Sequence, residues 1–328
     1  MALLEVDNLS VAFDTESGVV PAVNGVSFQV NAGETVGLVG ESGCGKSVTC
    51  MSILRLIPRP PGRFAGGAIR FEGNDLLTMP IADLRQIRGN DISMIFQEPM
   101  TALSPLMKIG PQMIEGLRVH RPELSKAEAM TIAGEWLTKV GIPDAVERLK
   151  SYPFQLSGGM RQRAMIAMAL MLSPKLIIAD EPTTALDVTI QAQVFDLIRE
   201  MKANDTSLLL VTHDMGVVWE TCDRVVVMYA SQVVEHGPVD EIFNNPQHPY
   251  TQGLLAAVPR LTGEQTALAS IDGQVPAPAN YPTGCHFADR CPHAMDICRA
   301  TDPAPTALPH GGAVRCHKVA QDLKAQPE

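Results

Sequence analysis

The chain has 328 residues, of which 45% are hydrophobic, enough to bury the core of one large domain or two modest ones. Its formal net charge of −10 argues against a protein that holds nucleic acid by bulk electrostatics, because phosphate neutralisation needs clustered Lys and Arg. The composition therefore predicts a folded globular protein with no nucleic-acid partner.

The N-terminal segment predicts a protein that stays in the cytosol. The stretch MALLEVDNLS carries Glu5 and Asp7 where a secretory signal would have basic residues followed by an apolar stretch. The longest apolar run, Ala164 to Leu172, is far shorter than the roughly 20 residues that a membrane-spanning helix requires. We therefore expect any membrane association to go through a partner protein.

Strand-like and helix-like segments alternate from the start of the chain. ALLEVDNLSVAF and AVNGVSFQV predict two paired antiparallel strands. ETVGLVG predicts a short buried strand, and GKSVTCMSILRLI has apolar residues at helical spacing directly after a glycine-rich turn. A strand, a loop and a helix in this order form the context that a phosphate-binding loop requires.

The remaining chain divides into three parts. From about Met100 to Gln155 the pattern is helical and charged, which predicts a helical insertion containing PQMIEGLRVH and KAEAMTIAGEWLTKVG. The runs KLIIADE, SLLLVTH and DRVVVMYA then predict buried parallel strands with functional C-terminal ends. From Pro259 onward, frequent prolines predict a separate, loop-rich C-terminal region.

The first chemical motif is GESGCGKS, from Gly40 to Ser47, which fits the phosphate-loop pattern. Glycines let backbone N–H groups turn toward the phosphates, and the following helix adds its positive end. Lys46 supplies a full charge and Ser47 can ligate Mg²⁺; a tight strand-to-helix turn is the structural alternative. The nucleotide contacts predicted in this segment are Gly40, Ser42, Gly43, Cys44, Gly45, Lys46, Ser47 and Val48.

Two further motifs carry chemistry. KLIIADEPTTALD places Asp180 and Glu181 at the end of a buried strand, where one carboxylate can hold Mg²⁺ and the other can polarise an attacking water. An acidic helix cap is the alternative. LSGGMRQR adds Ser157, Gly158 and Gly159 at the start of an apolar helix, a second anion-binding surface in a chain that already has one.

Together these motifs resemble those of the ATP-binding subunits of ABC transporters, over Ala2 to about Pro259. In that family the serine-glycine motif closes over the γ-phosphate held by another subunit, so that two ATP molecules lie in a head-to-tail dimer. The resemblance implies further roles: Phe13 stacks on adenine, Gln97 in MIFQEP contacts Mg²⁺ and senses the transmembrane subunits, Asp187 in TALD communicates across the dimer, and His213 in VTHD contacts the γ-phosphate. Taken singly, each of these residues also fits an ordinary strand position.

The resemblance implies an α/β fold, the ABC-type P-loop nucleotide-binding domain with a mixed sheet core, an antiparallel β subdomain and a helical subdomain. We expect this domain at residues 1–259, its helical subdomain at about 100–160, and a loop-rich extension at 260–328. Catalysis is assigned to Glu181, which acts on water, and to Lys46, Gln97 and His213. The Mg²⁺ ligands implied are Ser47, Gln97 and Asp180.

The phosphate loop departs from the common family pattern in Cys44, and in Val48 where many relatives have Thr. Cys44 lies just ahead of a helix N-terminus and beside a lysine. We therefore expect its thiol to have a lowered pKa and to react readily, which would block ATP binding. A small residue that merely fits is the alternative.

A narrower resemblance involves NPQHPYTQGLLAAVP, EPMTALSP, DEPTTALDVTIQAQ and the cysteine-bearing tail. These segments resemble the oligopeptide, dipeptide and nickel uptake group of bacterial ABC importers. That group implies a peptide-import ATPase peripheral to the cytoplasmic face of the cell membrane. Its implied partners are a second homologous ATPase subunit, giving a heterodimer, two transmembrane permease subunits and an extracytoplasmic substrate-binding protein. The alternatives are nickel or glutathione import, a soluble ABC ATPase, and a metal-sensing or redox module carried by the ATPase.

The tail contains Cys285, Cys291, Cys298 and Cys316, separated by five, six and seventeen residues. A reducing cytosol disfavours disulfides. Zinc suits four thiolates, although the usual Cys-x-x-Cys pairs are absent, and bacterial iron–sulfur runs also favour short spacings. The resemblance implies a [4Fe–4S] cluster, with zinc or free thiols as alternatives. Because the tail lies far in sequence from the catalytic residues, we expect such a centre to stabilise a proline-rich region.

Overall fold

The computed structural model describes residues 2–16, 18–97, 102–182, 191, 206–257, 271–309 and 311–325. The chain divides into two compact units: the first is built mainly from Asn31–Glu34 and Thr78–Val211, and the second from Ala2–Val30, Thr35–Leu77 and Thr212–Glu328. Asp187 and the expected domain boundary at residue 259 lie outside the described residues. Within the described ranges, every helix is too short or too polar to cross a membrane.

The described strands are β1 (Ala2–Thr15), β2 (Gly18–Asn31), β3 (Thr35–Val39), β4 (Gly62–Phe71), β5 (Asn74–Asp75), β6 (Ile92–Ile95), β7 (Leu176–Asp180), β8 (Ser207–Val211), β9 (Arg224–Tyr229), β10 (Gln232–Pro238), β11 (Thr306–Ala307) and β12 (Ala313–Val314). The described helices are α1 (Lys46–Ile53), α2 (Ile81–Ile87), α3 (Ile109–His120), α4 (Lys126–Lys139), α5 (Ala145–Arg148), α6 (Gly158–Leu170), α7 (Met215–Thr221), α8 (Val239–Asn244), α9 (Pro249–Ala256), α10 (Asp296–Ala300) and α11 (His317–Ala325).

The first unit combines a parallel sheet with helices. Strands β6, β7 and β8 are parallel and buried at every residue, as the apolar runs in the sequence predict. Helices α3, α4 and α6 pack on one another, and α6 also packs on β6. A capping box starts α4, in which Ser125 and Glu128 each accept the other's backbone N–H. The helical insertion predicted between Met100 and Gln155 is therefore confirmed in α3, α4 and α5.

The second unit contains an antiparallel sheet of strand order β2-β1-β4-β5, which confirms the predicted pairing of the two N-terminal segments. In the same unit β3 runs parallel to β9, and β9, β10, β12 and β11 continue as antiparallel neighbours. The chain leaves β3 through a glycine-rich turn and enters α1. Over residues 271–309 and 311–325 the C-terminal region has short elements, because its prolines interrupt regular hydrogen bonding.

Helix α1 is shorter than its apolar pattern predicts. It ends at Ile53, and Arg55 adopts a left-handed backbone with φ of +51°. A proline at position 58 and two more at positions 60 and 61 follow. Proline disfavours the helical conformation in the residue before it, so the apolar residues after Ile53 continue as a turn.

Candidate nucleotide-binding site

The turn after β3 requires glycine at two positions. Gly40 has φ of +147° and Gly45 has φ of +103°, both in the region that side chains disfavour. A Cβ atom on Gly40 would overlap the carbonyl oxygen of Met228, and one on Gly45 would overlap that of Ala22. The close approach of these backbones fixes the path of the loop into α1.

Lys46 is the first residue of α1, and its side chain is buried within the loop. Its Nζ atom donates to the carbonyl oxygen of Gly40 at 2.8 Å and to that of Glu41 at 3.0 Å. The ammonium group therefore lies inside the turn, next to the N-terminal end of a helix. A positive side chain and a helix N-terminus together form a surface suited to phosphate.

The structure overturns the expectation for Cys44. The thiol is fully buried, and burial raises its pKa, although the neighbouring Lys46 acts in the opposite direction. Desolvation of the thiolate outweighs the attraction of one ammonium group. Cys44 is therefore a small wall residue of the loop, and the prediction of a lowered pKa is wrong.

The other predicted contacts of the second unit occupy varied environments. Phe13 is half-buried at the end of β1, opposite Gly62 of β4. His213 is exposed, and the next residue, Asp214, caps α7 by accepting the N–H groups of the second and third helical residues. Within the loop and α1, Ser42 and Gly43 are exposed, whereas Ser47 and Val48 are half-buried.

In the first unit, the predicted carboxylates lie at the end of β7. Asp180 is the last strand residue and is buried, whereas Glu181 is half-buried. Glu181 has φ of +47°, a backbone conformation that a residue with a side chain rarely adopts and that clusters at functional sites. Its carboxylate accepts a hydrogen bond of 3.0 Å from Gln97 Nε2, beyond the end of β6. The structure thus joins two predicted residues that lie far apart in sequence.

The serine-glycine motif begins α6, as predicted. Ser157 is the N-cap, and its Oγ atom accepts the N–H of Met160 at 3.3 Å. Ser157 and Gly158 are exposed and Gly159 is half-buried. A Cβ atom on Gly158 would meet no described atom within 4 Å. This helix N-terminus is therefore open to a ligand that approaches from outside the unit.

The four C-terminal cysteines lie together. Cys285, Cys291, Cys298 and Cys316 line one cavity of about 20 Å³. Burial, together with charge repulsion from the other three thiols, raises the pKa of Cys285 to about 12. Soft thiolates suit zinc or iron, but a cavity of this volume has room for about one water. Among the described residues, no group of three or more His, Cys, Asp or Glu side chains is arranged to hold a metal ion. The four thiols are therefore grouped around one cavity, but the described residues form no metal site.

Sequence reasoning missed a contact between the C-terminal region and the phosphate loop. Arg290, next to a cysteine of the tail, forms an ion pair of 3.1 Å with Glu41 of the loop. Tyr250 Oη accepts the backbone N–H of Glu41 at 2.9 Å. A charged residue inside a glycine-rich loop was a signal of some partner, but nothing in the sequence pairs two residues that lie 249 positions apart. The tail, although far in sequence from the phosphate loop, therefore contacts that loop in the structure.

Comparison with known proteins agrees with these motifs. The sequence pattern of the family described as "ABC transporter" matches residues 23–184, and that of the "Oligopeptide/dipeptide transporter, C-terminal region" matches residues 234–298. The chain is 52% identical over 315 residues to the oligopeptide transport ATP-binding protein AppD of Bacillus subtilis, covering 96% of each chain. It is 50% identical over 316 residues to the probable peptide ABC transporter ATP-binding protein y4tR of Sinorhizobium fredii, covering 96% of this chain and 94% of the relative.

The fold is also similar to solved structures. A dimeric post-hydrolysis state of the ATP-binding cassette MJ0796, bound to ADP and Pi, aligns with a TM-score of 0.65 at 25% identity. The alignment covers 72% of this chain and 98% of that cassette. The predicted α/β fold class is confirmed. The chain therefore belongs to the ABC transporter family of ATPases, in the group that carries the C-terminal region of oligopeptide and dipeptide transporters.

Proposed function

We propose that this chain is the ATP-hydrolysing subunit of an importer that carries di- and oligopeptides across the cell membrane. The observation that carries the proposal is the 52% identity to an oligopeptide transport ATP-binding protein over 96% of the chain, which includes the C-terminal region as well as the ATPase motifs. The names of the relatives favour peptides over nickel or glutathione as the transported substrate. We place the subunit at the cytoplasmic face of the membrane, peripheral to its partners.

We propose partners of three kinds. A second homologous ATPase would complete the catalytic dimer. Two transmembrane permease subunits would receive the motion by which that dimer closes on ATP, and an extracytoplasmic binding protein would deliver the peptide. The exposed N-terminus of α6 supports a dimer, because Ser157 and Gly158 offer an anion-binding surface to a ligand held elsewhere. The similar cassette MJ0796 forms a dimer.

Within the second unit, we propose that the phosphate loop holds the β- and γ-phosphates of ATP. Lys46 would exchange its bonds to loop carbonyls for phosphate oxygens, and the backbone of Gly43 and Gly45 would direct N–H groups at them. Phe13 would stack on adenine, and its half-buried position supports this role. His213 would bond the γ-phosphate.

Within the first unit, we propose that Glu181 orients or deprotonates the attacking water. The bond from Gln97 holds the carboxylate in place, and the strained backbone of Glu181 supports a functional position. Bound Mg²⁺ would supply charge neutralisation at the phosphates, with Gln97 and Asp180 as its contacts in this unit. Gly159 would join Ser157 and Gly158 on the partner's nucleotide, and Asp187 would communicate between the subunits. We also propose that the ATP-binding domain spans residues 1–259 and that the C-terminal extension spans residues 260–328.

Reconstitution of the complete transporter tests the main proposal. The chain is expressed with the permeases and binding protein encoded beside it, and ATP hydrolysis is measured in proteoliposomes. Peptide-loaded binding protein should stimulate hydrolysis, whereas Glu181→Gln should abolish the stimulated rate. Stimulation by glutathione or Ni²⁺ alone would refute peptide import. Failure of the chain to co-purify with permeases would favour the soluble ATPase.

We also propose a metal centre at Cys285, Cys291, Cys298 and Cys316, as a [4Fe–4S] cluster, with zinc as the alternative. The grouping of the four thiols around one cavity supports it. Burial also raises the pKa of Cys285, Cys291 and Cys316, because a thiolate buried without a cation is unfavourable, and a bound metal would displace their protons. The cavity walls would have to move apart to admit a cluster, and the centre would hold the C-terminal region together.

Metal analysis tests this second proposal. Protein purified without oxygen should be brown and contain about four irons per chain with acid-labile sulfide. Cys291→Ser should lose the colour, whereas Cys50→Ser, which alters a thiol outside the group, should keep it. One zinc per chain in colourless protein would refute the cluster and retain the four-thiol site. Protein without either metal would refute the site.

A further inference from the structure

The phosphate loop is held from outside through one of its own residues. Arg290 Nη1 lies 3.1 Å from each carboxylate oxygen of Glu41. The arginine side chain is only 7% exposed, and the glutamate side chain is 30% exposed. Two hydrogen bonds in a partly desolvated setting fix the orientation of a carboxylate more firmly than a surface ion pair does.

Arg290 is itself anchored. Its Nε and Nη2 atoms donate to the carbonyl oxygens of Asp272 and Ile271 at 3.0 and 3.1 Å, and Nη1 also contacts Tyr229 Oη at 3.4 Å. With these partners the guanidinium has little freedom to turn away. The position of Glu41 is therefore set by the C-terminal region.

The backbone of Glu41 is held by Tyr250 of α9, which packs against that region. Its N–H donates to Tyr250 Oη, and the Tyr250 ring is completely buried. This ring packs 4.7 Å from Tyr229 and 5.5 Å from Phe287, measured between centroids. Phe287 lies three residues before Arg290, so the two contacts to Glu41 come from one packed aromatic cluster.

The backbone carbonyl group of Glu41 contacts Lys46 of the phosphate loop. The carbonyl oxygen of Glu41 accepts a hydrogen bond from Lys46 Nζ at 3.0 Å. One residue thus connects Arg290 and Tyr250 on one side with Lys46 on the other. A glycine-rich turn can adopt many conformations. Because the contacts of Glu41 restrict the loop before ATP binds, they lower the entropic cost of binding.

Charge gives a second reason for the pairing. A carboxylate within a loop that receives a triphosphate repels it, and the repulsion is stronger in a partly desolvated site than in water. The guanidinium of Arg290 cancels this charge at the shortest range available. We propose that Arg290 is a positioning residue for ATP: it fixes and neutralises Glu41, and through it the C-terminal region sets the affinity of the phosphate loop. The proposal requires ATP binding, which the family has, and requires neither the peptide substrate nor a metal centre.

The test measures Mg-ATP affinity in the full chain and turnover in the assembled transporter. Arg290→Ala should raise the Kd for Mg-ATP at least tenfold, while kcat at saturating ATP stays within about threefold, because Arg290 contacts no reacting atom. Arg299→Ala is the matched control, since Arg299 lies in the same segment and pairs at 2.6 Å with Asp289 where both side chains are exposed. The control should keep its Kd within twofold.

A second substitution separates charge from packing. Glu41→Gln added to Arg290→Ala removes the unpaired carboxylate and should recover at least half of the lost affinity on a logarithmic scale. Tyr250→Phe keeps the ring and removes the acceptor for the Glu41 N–H; it should weaken binding even if Arg290→Ala does not fold. An unchanged Kd in folded Arg290→Ala, an equal loss in Arg299→Ala, or no recovery by Glu41→Gln would each overturn the proposal.

Discussion

Gln97 Nε2 donates a hydrogen bond of 3.0 Å to Glu181 Oε2, so that two side chains from neighbouring parts of a parallel sheet share one contact. Glu181 directly follows β7, and Gln97 lies two residues beyond β6. The bond restrains the carboxylate of Glu181, which we propose as the base. Its donor is Gln97, to which the family resemblance assigns sensing of the membrane subunits. A shift of Gln97 would therefore change the position of the Glu181 carboxylate.

Replacing Glu181 with glutamine tests the proposed base. The amide has the shape of the carboxylate and its oxygen can still accept from Gln97, but it cannot take a proton. We expect ATP binding to persist and turnover to fall at least about 100-fold, as for loss of an acid–base group. Phosphate release from the assembled transporter measures turnover, and size-exclusion chromatography should show dimers accumulating with ATP.

The control for this change is Glu128→Gln. Glu128 is exposed and belongs to the capping box of α4, in which glutamine serves as well as glutamate, so this change should leave turnover and stability nearly unaltered. Near-normal turnover in the Glu181→Gln transporter would remove Glu181 from its proposed role.

Cys44 should react slowly with maleimide at neutral pH. Burial raises the pKa of this thiol, so the reactive thiolate is scarce at pH 7 and becomes more abundant only as the pH rises. Mass spectrometry of the folded chain should find Cys44 labelled more slowly than half-buried Cys291 in metal-free protein. Fast labelling at pH 7 that Mg-ATP prevents would instead restore the reactive thiol expected from the sequence.

Gly158→Ala should separate fold from function. The added methyl group meets no described atom within 4 Å, and alanine favours the first turn of a helix over glycine by up to about 1 kcal/mol. The thermal midpoint should therefore stay constant or rise. ATPase activity should fall at least about tenfold, because a partner's nucleotide would have to approach this surface closely.

Gly116→Ala is the matched control for that change. Gly116 lies in α3, and its added Cβ atom would lie 3.7 Å from Cδ1 of Leu172, which follows α6, an ordinary van der Waals contact. This variant should keep its activity. Full activity in Gly158→Ala would argue that no ligand approaches the start of α6.

His248 should make stability depend on pH. Burial lowers its pKa from 6.5 to about 3, so between these values the unfolded chain binds a proton that the folded chain does not. Stability is therefore present above pH 6.5 and is lost as pH falls, by about 2 kcal/mol between pH 7 and pH 5. Asparagine at this position can still cap α9, where His248 Nδ1 now accepts the N–H of Tyr250.

The measurement is the difference between the stability curves of the natural chain and His248→Asn. His236 also has a pKa lowered by burial and acts in the same direction, whereas burial raises the pKa of Glu235 and acts in the opposite one. His236 and Glu235 contribute equally to the curves of the two proteins, so their contributions drop out when one curve is subtracted from the other. Parallel curves between pH 7 and pH 5 would contradict a buried neutral His248.

Local sequence patterns predicted most of the fold because they are set by short-range physics. A glycine-rich turn between a buried strand and a helix, or a serine ahead of an apolar helix, is specified by neighbouring residues, and both occur as α1 and α6. Helix α9 likewise begins with His248 as its N-cap and a proline in its first turn, a common arrangement at helix starts. The four cysteines were grouped correctly, because they come from one short region.

Tertiary structure decided what depends on residues far apart in the chain. The sequence placed Cys44 beside a lysine and a helix end, and these predict a reactive thiol; only the packed fold determines the desolvation that outweighs them. The C-terminal region lies far from the phosphate loop in sequence, yet its Arg290 pairs with Glu41 of the loop, and Tyr250 of α9 accepts the Glu41 N–H. Local spacing determines helices, turns and motifs by itself, whereas burial and long-range pairing exist only once the core has formed.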